Sequence, residues 1–151
     1  MTERSAPSPE VHIIREVHLS YGPWHRLQTS FRDSVDVAQF LRKVIVDSTR
    51  EHAVGIYLDS KNRPLGWRMI SIGTDLMAPV KPVLAVQPAV MLGAHSMIFA
   101  YNHPSGDLQP SPEDIELARR LSEACELLGL RLLDNVIWSD TDSLSYGPYV
   151  R

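Results

Sequence analysis

The chain has 151 residues, with 18 Asp and Glu against 15 Lys and Arg, 44% apolar positions and one cysteine. That length supports a single hydrophobic core, and the lone Cys125 excludes an intramolecular disulfide or a cysteine-rich zinc ribbon and favours a reducing, cytoplasmic setting. Non-specific nucleic-acid binding draws on clustered Lys and Arg; residues 76–151 carry five basic against nine acidic side chains, a net of −4, which opposes it.

Residues 1–10 read as a disordered polar tail with no apolar stretch of the signal-peptide kind. Residues 11–33 read as a strand and loop, the strand over 11–19 at a sheet edge and a turn at Tyr21-Gly22-Pro23-Trp24. The helical period predicts a helix over 34–49, capped by Asp33 or Ser34, with Val37, Ala38, Leu41, Val44, Ile45 and Ser48 on its core face. A hairpin follows, residues 52–59 and 65–72 joined by a turn at 60–64. Pro82 to Gly106 contains no Asp, Glu, Lys or Arg, long enough to cross a bilayer, but Pro82, Gln87, Pro88, Gly93, His95 and Ser96 interrupt it. A helix over 82–93, kinked or stopped early by Pro88, and a buried strand over 96–101 account for the run without a membrane.

Residues 112–128 form the clearest helix. Ser111 caps it, Pro112 takes the first helical position, and Ile115, Ala118, Leu121, Cys125 and Leu128 make the core stripe before Gly129 ends it. A buried strand over 130–138 and a short one over 143–149 complete an α/β (α+β) single domain, a central mixed sheet flanked by helices.

The polar residues converge in Tyr101-Asn102-His103-Pro104-Ser105-Gly106-Asp107 and Pro110-Ser111-Pro112-Glu113-Asp114. Strand alternation puts Tyr101 and His103 on one face and Asn102 on the other. An imidazole at a strand end facing a carboxylate at a helix start is the raw material of a hydrolytic metal site. The same residues also read as ordinary structure: Ser111-x-x-Asp114 is a capping-box pattern and Pro104-Ser105-Gly106-Asp107 is turn chemistry.

These motifs, with LGLRLLDN at 128–135 and EHAVGIYLDSKNRPLGWRMISIGT at 51–74, resemble the RadC family of the JAMM/MPN (JAB) metalloprotease fold. The resemblance runs over about residues 34–146 and implies that fold for residues 34–149. In active members two His and one Asp hold zinc, an upstream Glu is the general acid/base on its water, and a Ser supports the oxyanion. The resemblance therefore implies His103 and Asp114 as metal ligands, Ser111 as the stabilising hydroxyl and Glu51 as the acid/base. The family's first His is replaced here by Tyr101. A phenol ionising near pH 10 is a poor zinc ligand at neutrality, so zinc is expected to bind weakly or not at all. Asn135 stands where the family often has His, and Pro82-Val83-Leu84-Ala85 where it has Pro-Arg-Glu-Val.

The remaining histidines, His12, His18, His25, His52 and His95, lack metal-like spacing; His52 is expected on the strand face opposite Glu51, and His95 to remain outside the site. Trp24, Trp67 and Trp138 read as filling the core or an interface, and Cys125 as core. The resulting expectation is a domain with an impaired zinc site that acts by binding a protein partner or a second copy, without a membrane. The alternatives are a zinc-dependent peptidase or isopeptidase, and the nucleic-acid role implied by the family's DNA-repair label.

Overall fold

The structure, a computed structural model, describes residues 14–23, 30–73 and 80–147. Three helices and five strands follow in the order α1 (Ser34–Val44), β1 (Glu51–Leu58), β2 (Pro64–Gly73), α2 (Pro82–Leu92), β3 (Ser96–Asn102), α3 (Pro112–Leu127), β4 (Arg131–Trp138) and β5 (Ser143–Ser145). The strands form one mixed sheet in the order β2-β1-β3-β4-β5, with β3 and β4 parallel and every other pair antiparallel. The expected α/β architecture with a central mixed sheet is the one observed.

Local chemistry explains most boundaries. Asp33 caps α1, its carboxylate accepting from the amides of Val35 and Asp36 at 2.9 and 3.0 Å. In the β1–β2 turn, Asp59 accepts from the amides of Lys61 and Arg63, both at 2.9 Å, and Asn62 takes the left-handed conformation (φ 57°). α2 starts on Pro82 and ends at Gly93, whose φ of 65° is the left-handed cap that glycine supplies without strain.

Five expectations are corrected. The first helix ends at Val44, because Ile45 turns to extended backbone (φ −116°), so Ser48 lies in a turn outside it. Residues 14–19 form no strand and are exposed, while residues 11–13 lie outside the described residues. Pro88 does not stop α2, which continues to Leu92; the proline forfeits one backbone donor, and tertiary packing of Ala85, Val86 and Ala89 compensates. Leu128 is 49% exposed, not core, since it falls at the helix cap where the stripe has run out. The final strand covers 143–145, with 148–149 outside the described residues.

The sheet is covered on both faces. α1 brings Val37, Ala38, Phe40 and Leu41 against Val54, Ile56, Ile98, Val136 and Trp138. α2 and α3 bring Ala85, Ala89, Leu121 and Cys125 against Tyr57, Met97, Phe99 and Ile137 on the other side. Central β1 and β3 therefore read as nearly unbroken buried runs, the pattern of strands covered twice. Gly55 leaves space for the Tyr57 ring, on which an added Cβ would collide, and the Tyr57 hydroxyl donates to the Ala85 carbonyl at 2.6 Å, tying α2 to the sheet. Trp67 packs edge-on to Phe40, and Trp138 is buried, so both fill core as expected; Trp24 lies outside the described residues. Among the described residues no helix is long and apolar enough to cross a membrane.

Candidate functional site

Four elements meet at one end of the sheet. β3 ends there with Tyr101, Asn102 and His103; antiparallel β1 begins there, the Ala53–Tyr101 register bringing Glu51 level with His103. α3 starts there with Ser111 and Asp114, and the chain leaving β5 delivers Tyr146. The four residues implied by the resemblance, Glu51, His103, Ser111 and Asp114, are thus brought into one neighbourhood with Tyr101. A cleft of about 390 Å³ adjoins them, with Glu51, Ala53, Phe99, Tyr101, Asp114 and Leu117 in its walls. A larger hollow of about 770 Å³, with Phe31, Val44 and Trp67 in its walls, lies on the other face of the sheet, away from these polar groups.

His103 and Asp114 form the core of the site. His103 Nδ1 lies 2.7 Å from the Asp107 carbonyl, which can only accept, so Nδ1 carries the proton and directs Nε2 inward. Nε2 then lies 3.3 Å from Asp114 Oδ2. Two acceptors at that separation require a proton or another cation between them. The hydrogen bond to Asp114 raises the His103 pKa above its ordinary value against the opposing effect of burial. Burial works to raise Asp114, but hydrogen bonds from His103 and Ser111 leave its carboxyl below the usual range.

Ser111 performs the capping role that its spacing allowed. Its hydroxyl accepts from the Asp114 amide at 3.1 Å, and its own amide donates to Asp114 Oδ2 at 2.7 Å. The capping box thereby fixes the carboxylate that faces His103. Glu51 is half-buried, and burial raises its carboxyl, with His103 lowering it and Asp114 raising it further. Burial thus holds this carboxyl closer to neutrality than a solvated one.

Tyr101 departs from that chemistry. It is 2% exposed, and its hydroxyl lies 2.8 Å from that of Tyr146. Burial, then Tyr146 and Asp114, push its ionisation well above the ordinary phenol range. A phenol so placed stays protonated at neutral pH, whereas zinc binds deprotonated ligands. Among the described residues no three His, Cys, Asp or Glu side chains converge as a metal site requires. The 3.3 Å separation of His103 and Asp114 matches what two ligands of one tetrahedral ion adopt, but the donors present do not fit a three-ligand centre.

Two participants have no local signal. Asn102, on the opposite strand face as expected, accepts from the His52 amide at 2.7 Å and donates to the Arg50 carbonyl at 3.0 Å. It thereby clamps the backbone on both sides of Glu51. Tyr146 is held by the Asp134-Asn135 pair: its amide donates to the Asn135 carbonyl, Asn135 Nδ2 donates to the Gly147 carbonyl, and Asp134 accepts from Gly147 and Ser145. Nothing near Tyr146 in sequence marks a contact 45 residues upstream.

The other histidines lie elsewhere. His95 precedes β3, at the strand end opposite the site and roughly 20 Å away by strand rise. His52 is buried on the α1 side of β1, and His18 is an exposed neighbour of Glu16. His12 and His25 lie outside the described residues. Cys125 is fully buried, its thiol pushed up to about 11 by burial.

Comparison with known proteins agrees with the geometry. A family model described as the RadC-like JAB domain matches residues 31–148. A UPF0758 protein of Aquifex aeolicus is 39% identical over 117 residues, 78% of this chain and 50% of that protein. A UPF0758 protein of Desulforamulus reducens is 42% identical over 105 residues, 70% of this chain and 46% of the relative, and one of Chlorobaculum parvum 30% over 141 residues, 93% and 64%. The chain spans about half the length of most of these relatives. With the motifs, the mixed sheet and a match over more than three-quarters of its length, the chain belongs to the RadC-like JAB domain family.

Proposed function

We propose that this domain is a RadC-like JAB fold without a productive zinc centre, working as a binding or scaffold module. The observation that carries the reading is Tyr101: a buried, protonated phenol hydrogen-bonded to Tyr146 stands at the position of the third metal ligand. A cation there would be left with His103 and Asp114 as protein donors, one short of the usual set. The adjoining apolar cleft remains open to a ligand or peptide side chain.

A zinc-dependent peptidase or isopeptidase is the second reading. It is favoured by the His103–Asp114 spacing and by the raised carboxyl of Glu51 beside them, with Ser111 one residue before α3. The two readings separate on metal stoichiometry. Chelator-treated protein dialysed against zinc is expected to retain far less than one ion per chain, and Tyr101→His to raise affinity by orders of magnitude. One tightly held zinc in the unaltered protein overturns the proposal. The nucleic-acid reading meets an excess of acidic over basic side chains in residues 76–151, nine against five.

A further inference from the structure

One strand anticipated from the sequence has no sheet. The run 16–21 alternates, with Val17, Leu19 and Tyr21 on one side and Glu16, His18 and Ser20 on the other. The structure leaves these residues outside any strand, with Ile14 92% and Val17 82% exposed. Apart from a 3.4 Å contact between His18 and Glu16, residues 14–20 make no hydrogen bond or ion pair among the described residues. Side chains two positions apart meet in this way only on extended backbone, so the segment is already shaped for pairing.

β2 has the complementary deficit. It is the outermost strand of the sheet and, among the described residues, pairs with β1 alone. Its ten residues carry one charge, Arg68, and no lysine, and Pro64 stands only at its first position, so two register shifts are all that blunts the edge. Those shifts leave residues 66–69 as a regular run opposite 54–57. Trp67 and Met69 face the α1 layer there, and the exposed Arg68 faces the other side.

We infer that residues 16–20 of one copy add to β2 of a second copy as a sixth, antiparallel strand, the two copies exchanging these segments about a two-fold axis. Polarity fixes the register. Val17 and Leu19 opposite Met69 and Trp67 continue the apolar α1 layer, which sets His18 opposite Arg68 and Ser20 opposite Gly66. Glu16 then lies diagonal to Arg68, the one charge on the strand it joins, and of opposite sign. A slip of one residue would turn Glu16 and His18 into the apolar layer instead. The sheet that the segment joins is not its own. Tyr21, Gly22 and Pro23 border the hollow beside Leu65 and Gly66 of their own chain, and the residues before them run into solvent without pairing to β2. A single chain thus leaves an extended apolar segment and a sheet edge both unused, and exchange between two copies satisfies each of them twice.

Sedimentation of the full chain tests this. At about 100 µM a species of twice 17.0 kDa is expected. Adjacent amides point to opposite edges of a strand, so Val17→Pro combined with His18→Pro removes a ladder donor whichever of them faces β2. Both residues are exposed in the single chain, so this variant should keep the far-ultraviolet circular dichroism and weaken dimerisation at least about tenfold. Glu16→Arg and Arg68→Glu should each weaken it, and the two together should restore it, which a general loss of structure would not do. Val17→Cys in one chain and Met69→Cys in another should form a mixed disulfide on mild oxidation, with no competition from fully buried Cys125. A chain monomeric at every concentration overturns the inference, as does a dimer that ignores the two prolines, whose contact would then lie on another face. A chain carrying both cysteines that closes its disulfide within a monomer overturns the exchange and returns the segment to its own sheet. Failure of the double charge reversal to rescue the single ones overturns the register.

Discussion

Tyr101 is buried, Tyr146 half-buried, and their hydroxyls share a hydrogen bond at 2.8 Å, so removing either hydroxyl takes a partner from the other. Tyr101→Phe or Tyr146→Phe should each cost about 1–2 kcal/mol, and the double variant distinctly less than their sum, as a denaturant double-mutant cycle would measure. Additive losses would mean that the hydroxyls do not depend on each other. The His103–Asp114 pair carries a pH dependence of definite sign in chelator-treated protein. His103 is raised in the folded state, so its contribution is complete below the unfolded value near 6.5 and lost as pH rises through the folded one. Asp114 is lowered, so its contribution is complete above the unfolded value and lost as pH falls through the folded one. The pair therefore stabilises most between about pH 4 and 6.5. His103→Gln should cost about 1 kcal/mol more at pH 5.5 than at pH 8.5 in urea unfolding, a modest figure because the pair is partly solvated; an equal cost at both would remove the ion pair from the account.

At the scale of elements, the site depends on how strand and helix ends are pinned. Asn102 replaces two ladder bonds where β1 begins, holding the amide of His52 and the carbonyl of Arg50. Asn102→Ala should cost about 1–3 kcal/mol and reduce amide-exchange protection at His52, since the buried His52 amide loses its acceptor. Asn102→Asp keeps the acceptor alone and should fall between; unchanged protection in both variants would show that the strand start is held by something else. The capping box at Ser111 was legible from its four-residue spacing because a cap acts within one helical turn. The clamp by Asn102 was not, because alternation gives the face of a residue but not what lies across the sheet from it.

At the scale of the molecule, two cores share one sheet. Leu41 lies in the α1 cluster and Leu121 in the cluster under α2 and α3, with the strands between them. Leu41→Ala and Leu121→Ala should each cost about 2–5 kcal/mol by opening a cavity, and the double variant their sum within about 0.5 kcal/mol. Both should lower the midpoint of one common urea transition if the domain unfolds as a unit; two separate transitions would show the layers to be independent.

Periodicity and capping determined the order of elements, the buried central strands, the long third helix and the loop that carries His103, because these signals act over a few residues. They misjudged the end of α1, the segment before it and Leu128, where propensity is weak and packing decides. Motif resemblance identified Glu51, Tyr101, His103, Ser111 and Asp114 as a set. That Tyr101 is locked to Tyr146, that Asn102 flanks Glu51 on both sides, and that α2 keeps an uncovered apolar face were settled only by tertiary structure. Each depends on which strands lie side by side, and strand order is a property of the whole chain collapsing around two cores, beyond the reach of any local run of residues.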